Sequence, residues 1–131
     1  MYTTSTRFGA LMATVVQSCR IDESLAPLLA RQARRKKVEV STLSSLYLRE
    51  KAPEEEYPGV GFRDAADGRE AYVLGHRVAV WEVEDVHRGT GDVEKTARRF
   101  RWLPVLVRCA LAFAAAFPDA VAAQRAAETA A

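Results

Sequence analysis

Gly61-Phe62-Arg63-Asp64-Ala65-Ala66-Asp67-Gly68-Arg69-Glu70-Ala71-Tyr72-Val73-Leu74, running on into Gly75-His76-Arg77-Val78-Ala79-Val80-Trp81-Glu82-Val83, decides the architecture of the second half of the chain. Gly61–Arg63 and Glu70–Leu74 flank Asp64–Gly68, which predicts a β-hairpin with Gly68 where a positive φ is required. Asp64 and Asp67 read as turn residues, because aspartate bonds its own backbone there. Val80, Val83 and Val86 then recur three apart and predict a helix that stops at Gly89-Thr90-Gly91. Asp92 is suited to cap a following helix whose Val93, Ala97 and Phe100 turn inward. Pro104 fits the first turn of a longer helix, with Leu106, Cys109, Phe113 and Phe117 as its core stripe. Pro118 restarts the chain as a last helix from Asp119 to about Glu128.

Upstream, Ala52-Pro53-Glu54-Glu55-Glu56-Tyr57-Pro58-Gly59 reads as a linker, since two prolines bracket an acidic run. Before it, Thr14–Ile21 (TVVQSCRI) is β-branched at its start, is bounded by Asp22-Glu23-Ser24, and reads as a strand. A helix from Ser24 to Lys37 follows, with Ser24 as its cap and Pro27 tolerated near its start. Its Leu25, Leu28, Leu29 and Ala33 share one face. A second helix is expected from Thr42 to Lys51, with Val40, Leu43, Leu46 and Tyr47 inward. The expected divisions are therefore residues 1–51, a linker at 52–59, and 60–131.

One strand and two short helices cannot bury a core alone, and a lone strand leaves its backbone groups unpaired. Both problems vanish if two chains pair their strands antiparallel and pack four helices together. Arg20-Ile21-Asp22-Glu23-Ser24-Leu25 and Val38-Glu39-Val40-Ser41-Thr42-Leu43, with Leu46 and Leu48 beyond, resemble the ribbon-helix-helix DNA-binding dimers of bacterial repressors and antitoxins. The resemblance implies a two-stranded ribbon in the major groove of operator DNA. With Cys19 and Ile21 inward, alternation turns Val16, Ser18 and Arg20 toward the bases. Backbone amides around Ser41 and Thr42 would hold a phosphate. The glycine usual near Lys37 is absent, and Gln17 stands where an apolar residue is the rule. Arg34-Arg35-Lys36-Lys37 reads either as a solvated helix end or as a phosphate contact.

The hairpin segment, together with Val107-Arg108-Cys109-Ala110-Leu111-Ala112-Phe113 and Phe117-Pro118-Asp119, resembles the DUF four-three-three family from Gly59 to about Arg125. The resemblance implies the antitoxin half of a toxin–antitoxin pair, with a PIN-like ribonuclease toxin as partner. The family usually carries threonine and acidic residues where Leu103, Val105 and Leu106 stand here. That apolar helix start, with Trp102 beside it, suits a partner interface as well as ordinary core. Arg98, Arg99 and Arg101 form a basic group that can meet DNA phosphates or an acidic protein. Arg108, Arg125 and the Arg98–Arg101 group are candidates for entering a carboxylate-rich toxin site.

Charge is distributed unevenly. Residues 1–50 hold eight Lys/Arg against four Asp/Glu, and the remainder eleven against thirteen. A basic first part points to a polyanionic partner. No apolar run approaches the roughly 20 residues a membrane span needs, and Ala110–Ala116 is too short. Met1–Thr14 lacks the apolar centre of a secretory signal. Cys19 and Cys109 have no metal-ligand spacing and read as buried small apolar residues rather than a disulfide, which fits a reducing cytoplasm. No phosphate-binding glycine loop or nucleophile elbow is present, and His76 and His87 read as structural.

The expectation is a mainly α chain with short β elements. A ribbon-helix-helix-like dimerisation unit precedes a β-hairpin and a helix-turn-helix-like bundle. Its expected function is that of a non-enzymatic, homodimeric, autorepressing antitoxin without cofactor, metal or small-molecule substrate. A stand-alone DNA-binding regulator and a homo-oligomerisation module are the alternatives.

Overall fold

The computed structural model describes residues 13–66 and 68–130. The polar start of the chain up to Met12, and Asp67, one of the two expected turn aspartates, lie outside the described residues. Within them the chain is mainly helical with one antiparallel hairpin, and it divides into two compact units at Ala52 and Pro53.

In the first unit, Thr14–Ala52, the expected strand is not formed. Residues 14–22 carry neither helix nor strand, and their side chains are exposed. The physical reason is the lack of a second strand: among the described residues no strand lies beside residues 14–21 to pair with them. Helix α1 (Leu25–Lys36) starts one residue later than expected, and Ser24 precedes it without a side-chain capping bond. Backbone bonds from Leu25 N–H to Asp22 O and from Ala26 N–H to Glu23 O serve that end instead. At the other end Lys37 itself adopts the left-handed conformation, φ 58°, that glycine usually supplies. Lys37 and Val38 N–H donate to Arg34 O and Ala33 O, so the motif closes despite the side chain.

Helix α2 (Val40–Glu56) corrects the linker expectation, because it continues through Pro53. A proline inside a helix removes one bond and costs about 3 kcal/mol in the open. Here Pro53 is buried, and Tyr57 N–H closes the last turn onto Pro53 O at 2.8 Å. Burial of the ring offsets the lost bond, and local breaker chemistry is overruled.

The second unit, Pro53 onward, holds the core. Strand β1 (Val60–Ala65) pairs with β2 (Gly68–Val73) in a register from Val60↔Val73 to Ala65↔Gly68. The hairpin is thus longer than expected, and Gly68 has φ 128° beside its turn. Asp64 is a strand residue, not a turn residue: it lies opposite Arg69 and pairs with it at 2.9 Å. Arg63, opposite the nearly buried Glu70, bonds its carboxylate at 3.0 Å, packs over Tyr72, and donates to Arg77 O. One arginine therefore ties both strands to the loop that follows.

Helix α3 (Val80–Thr90) begins with the Glu82 carboxylate accepting Ala79 N–H at 2.9 Å and ends at Gly91, φ 68°. Helix α4 (Val93–Phe100) leads to α5 (Pro104–Ala116) and α6 (Pro118–Ala130). Helix α5 is central and packs against α3, α4, α6 and both strands. Its fully buried side chains are Val107, Ala110, Phe113 and Ala114; Leu106, Cys109 and Phe117 are only partly buried. Alanines let neighbouring elements come close, so the small residues, rather than Leu106 and Cys109, face the centre. Phe113 meets Tyr57 edge-on at 5.8 Å and Phe62 at 5.9 Å, joining the helix to both the hairpin and the chain entering it.

Phe113→Ala should destabilise the C-terminal unit by about 3–5 kcal/mol, the usual cost of emptying such a site. Urea unfolding followed by tryptophan fluorescence reads this, since both tryptophans, Trp81 and Trp102, pack on that core.

Candidate DNA and partner surfaces

In the first unit only Ala33 and Leu43 are buried among the described residues. Val15 and Val16 are 87% and 88% exposed, and Ile21, Leu25, Leu28, Val38, Val40, Tyr47 and Leu48 also keep more than a third of their surface in water. So many exposed aliphatic residues on so short a segment form an unfilled apolar face. The expected base readers Val16, Ser18 and Arg20 lie in the segment 14–22, all exposed. Ser41 and Thr42 are exposed in the first turn of α2, which opens at Val40. Cys19 is exposed rather than inward-facing in the single chain.

In the second unit the turn between α3 and α4 places the basic group. Asp92 caps α4 by accepting Lys95 N–H at 2.9 Å, and that bond above all holds its carboxyl below the ordinary carboxylate range. Thr96, fully buried, donates to Asp92 O and bonds Thr90 at 2.7 Å, which locks the turn from inside. With Thr96 and Ala97 inward, Arg98 and Arg99 project outward at the end of α4. Arg101 follows in a left-handed conformation, φ 63°, with Arg101 and Trp102 N–H donating to Arg98 O and Ala97 O. Arg98, Arg99 and Arg101 are exposed and make no side-chain hydrogen bond or ion pair among the described residues.

Trp102 stacks on Phe100 with centroids 4.4 Å apart and meets His76 at 4.5 Å. His76 thus serves an aromatic step between the post-hairpin loop and the α4–α5 turn. Leu103 and Val105 are 70% and 59% exposed at the start of α5, while Leu106 turns partly inward toward Gly59. Leu103 holds the cap position of α5 without a side-chain bond. Leu74, which no motif singled out, is also exposed; its N–H donates to Gly59 O, close to Leu106. The signal for it was its place directly after the hairpin, outside the alternation.

The arginines separate into two kinds. Arg108 is exposed and reaches Glu94 on α4 at only 3.8 Å. Arg125 is held by the carboxylates of Glu84 and Asp85, fastening α6 to α3. Burial works against its charge, but the bonds to Glu84 and Asp85 outweigh it and raise its pKa. Such a side chain serves the fold, and releasing it to a partner would leave the two carboxylates with only the more exposed Arg88 as counter-ion. Sequence spacing could not reveal this pairing, because its members lie about 40 residues apart. A cleft of about 430 Å³ at the hairpin end is lined by Arg69, Glu70, Gln124 and Glu128 among others. No single helix among the described residues is long and apolar enough to cross a membrane.

Two outcomes test these assignments. Arg125→Ala should lower the stability of the C-terminal unit by about 1–2 kcal/mol, measured by thermal melting, because charge-assisted bonds across two helices are lost. Asp92→Ala should be less stable than the parent at neutral pH, and the difference should close on acidification. A depressed carboxyl stabilises the fold fully above its unfolded pKa, about 4, and loses that effect as pH falls through the folded value. Melting curves at pH 7 and at pH 3 give the comparison.

Comparison with protein-family models, with curated proteins and with solved structures finds no match to this chain.

Proposed function

We propose that the chain is a homodimeric, cytoplasmic antitoxin that binds its own operator through the N-terminal unit and captures a PIN-like ribonuclease toxin through the C-terminal one. The observation that carries this reading is the unfilled apolar surface of Thr14–Ala52, from Val15 through Ile21, Leu25 and Leu28 to Leu48. A second copy satisfies both of its deficits at once: residues 14–21 gain strand partners, and the leucines of α1 and α2 gain a core. Pairing that places Cys19 and Ile21 inside leaves Arg20, Ser18 and Val16 on the outer face of the ribbon, where arginine can read guanine through two bonds. Arg34–Lys37 and the first turn of α2 then supply phosphate contacts on either side. The resemblance of Gly59–Arg125 to the DUF four-three-three family supplies the toxin half of the proposal. The exposed Leu103 and Val105, and the exposed Arg98, Arg99 and Arg101 beside them, support a protein partner there.

Fluorescence anisotropy of labelled DNA from just upstream of the gene tests the repressor half. The parent should bind tightly, with affinity falling steeply as salt rises, because neutralised phosphates release counter-ions. Arg20→Ala should weaken binding by about 1–3 kcal/mol, the usual worth of a bidentate base contact. Ile21→Asp should leave a monomer without specific DNA binding. A parent protein that is monomeric and indifferent to this DNA would refute the reading. Salt-insensitive dimers unaffected by Arg20→Ala would favour a plain oligomerisation module.

A further inference from the structure

We propose that Arg98, Arg101, Trp102, Leu103, Val105 and Arg108 form one docking ledge for an acidic segment of a partner protein that also carries apolar side chains. The proposal deepens the toxin-capture half of the function above and rests on it. It names the chemistry of the partner and the surface that takes it.

Continuity comes first. Arg101, Trp102, Leu103 and Val105 lie within five residues across the α4–α5 turn. Val105 and Arg108 are three apart on α5 and share a face. Arg108 reaches Glu94 on α4, and Arg98 lies one turn beyond Glu94 on the same helix. The cationic and apolar members therefore belong to one surface, with the exposed Glu94 on its path and Asp92 within reach of the Arg98 charge at its edge.

Chemistry then selects the partner. A duplex offers phosphates to the arginines but almost nothing to Leu103 at 70% exposure and Val105 at 59%. An apolar patch rimmed by exposed arginines, of which only Arg108 has an acidic contact, 3.8 Å from Glu94, instead matches an acidic amphipathic polypeptide, whose carboxylates take bidentate bonds while its apolar face covers the leucine and valine.

Two local choices support a binding role. Arg101 occupies a left-handed position at a cost of about 1–2 kcal/mol that glycine would avoid. Leu103 occupies a helix cap position where serine would bond a free N–H and stabilise by about 1 kcal/mol. Neither side chain is explained by folding, and both stand exposed on the ledge. Breaches of local preference of this kind gather at functional surfaces.

The same breaches give clean variants, since Arg101→Gly and Leu103→Ser should each fold at least as well as the parent. Full-length protein would be titrated into a fluorescein-labelled synthetic helical peptide of about 15 residues, leucines on one face and glutamates beside them. Controls are the same peptide with alanine for leucine, and an unlabelled random-sequence DNA duplex as competitor. The expected result is binding that each variant weakens by about tenfold, as loss of an interface anchor does, with matched melting temperatures. The alanine peptide should bind equally poorly, and the duplex should not displace the leucine peptide.

Absence of peptide binding would overturn the proposal. So would binding to which both variants are indifferent, or loss in Arg101→Gly alone together with displacement by DNA, which marks a nucleic-acid surface. The operator titration reads the N-terminal unit separately, so failure of the ledge and failure of the repressor reading are distinguishable.

Discussion

Two short helices and an unpaired segment cannot hide their own leucines and valines from water. That constraint governs Thr14–Ala52, where only Ala33 and Leu43 are buried among the described residues. At roughly 25 cal/mol per Å² of apolar surface, leaving several aliphatic side chains exposed forgoes several kcal/mol, comparable to the whole stability of a small domain. The stabilisation withheld within one chain is available between two. In the dimer proposed above, pairing and DNA reading are linked: the pairing that covers Ile21 is the one that aims Arg20 outward.

The C-terminal unit has the opposite character. Phe113 and the small residues around it draw α3, α4, α6 and the hairpin onto α5, and nearly all of its large side chains find cover. Because that core is complete, the side chains left outside it stand out. Leu103, Val105 and the arginines at 98, 99 and 101 are not forced outward by lack of room. They lie from the end of α4 to the start of α5, and α4 itself is fixed at its beginning by the bonds among Thr90, Asp92 and Thr96.

Much of this was legible from residues alone, wherever local chemistry decides. Gly68, Gly91, Asp92 and Pro104 mark ends that the structure places at those residues, because turns, caps and first turns depend on neighbours a few residues apart. What escaped depends on distance. Helix α2 runs through Pro53 because burial compensates a lost backbone bond, which no breaker rule contains. The core stripe of α5 falls on Val107, Ala110 and Ala114 because alanines admit close neighbours. Arg125 was a candidate partner-binding residue until Glu84 and Asp85 met it from another helix. The candidate DNA readers remain as the alternation of 14–21 assigns them, since a ribbon needs a second chain to exist.

Amide hydrogen exchange of residues 14–21, followed against protein concentration, tests that central point most directly. A strand shared between two chains predicts slow exchange at high concentration that quickens toward the free-chain rate on dilution, as the pairing is lost. Exchange at the free-chain rate at every concentration would mean that no ribbon forms, and the account of dimerisation and DNA reading built on it would fall.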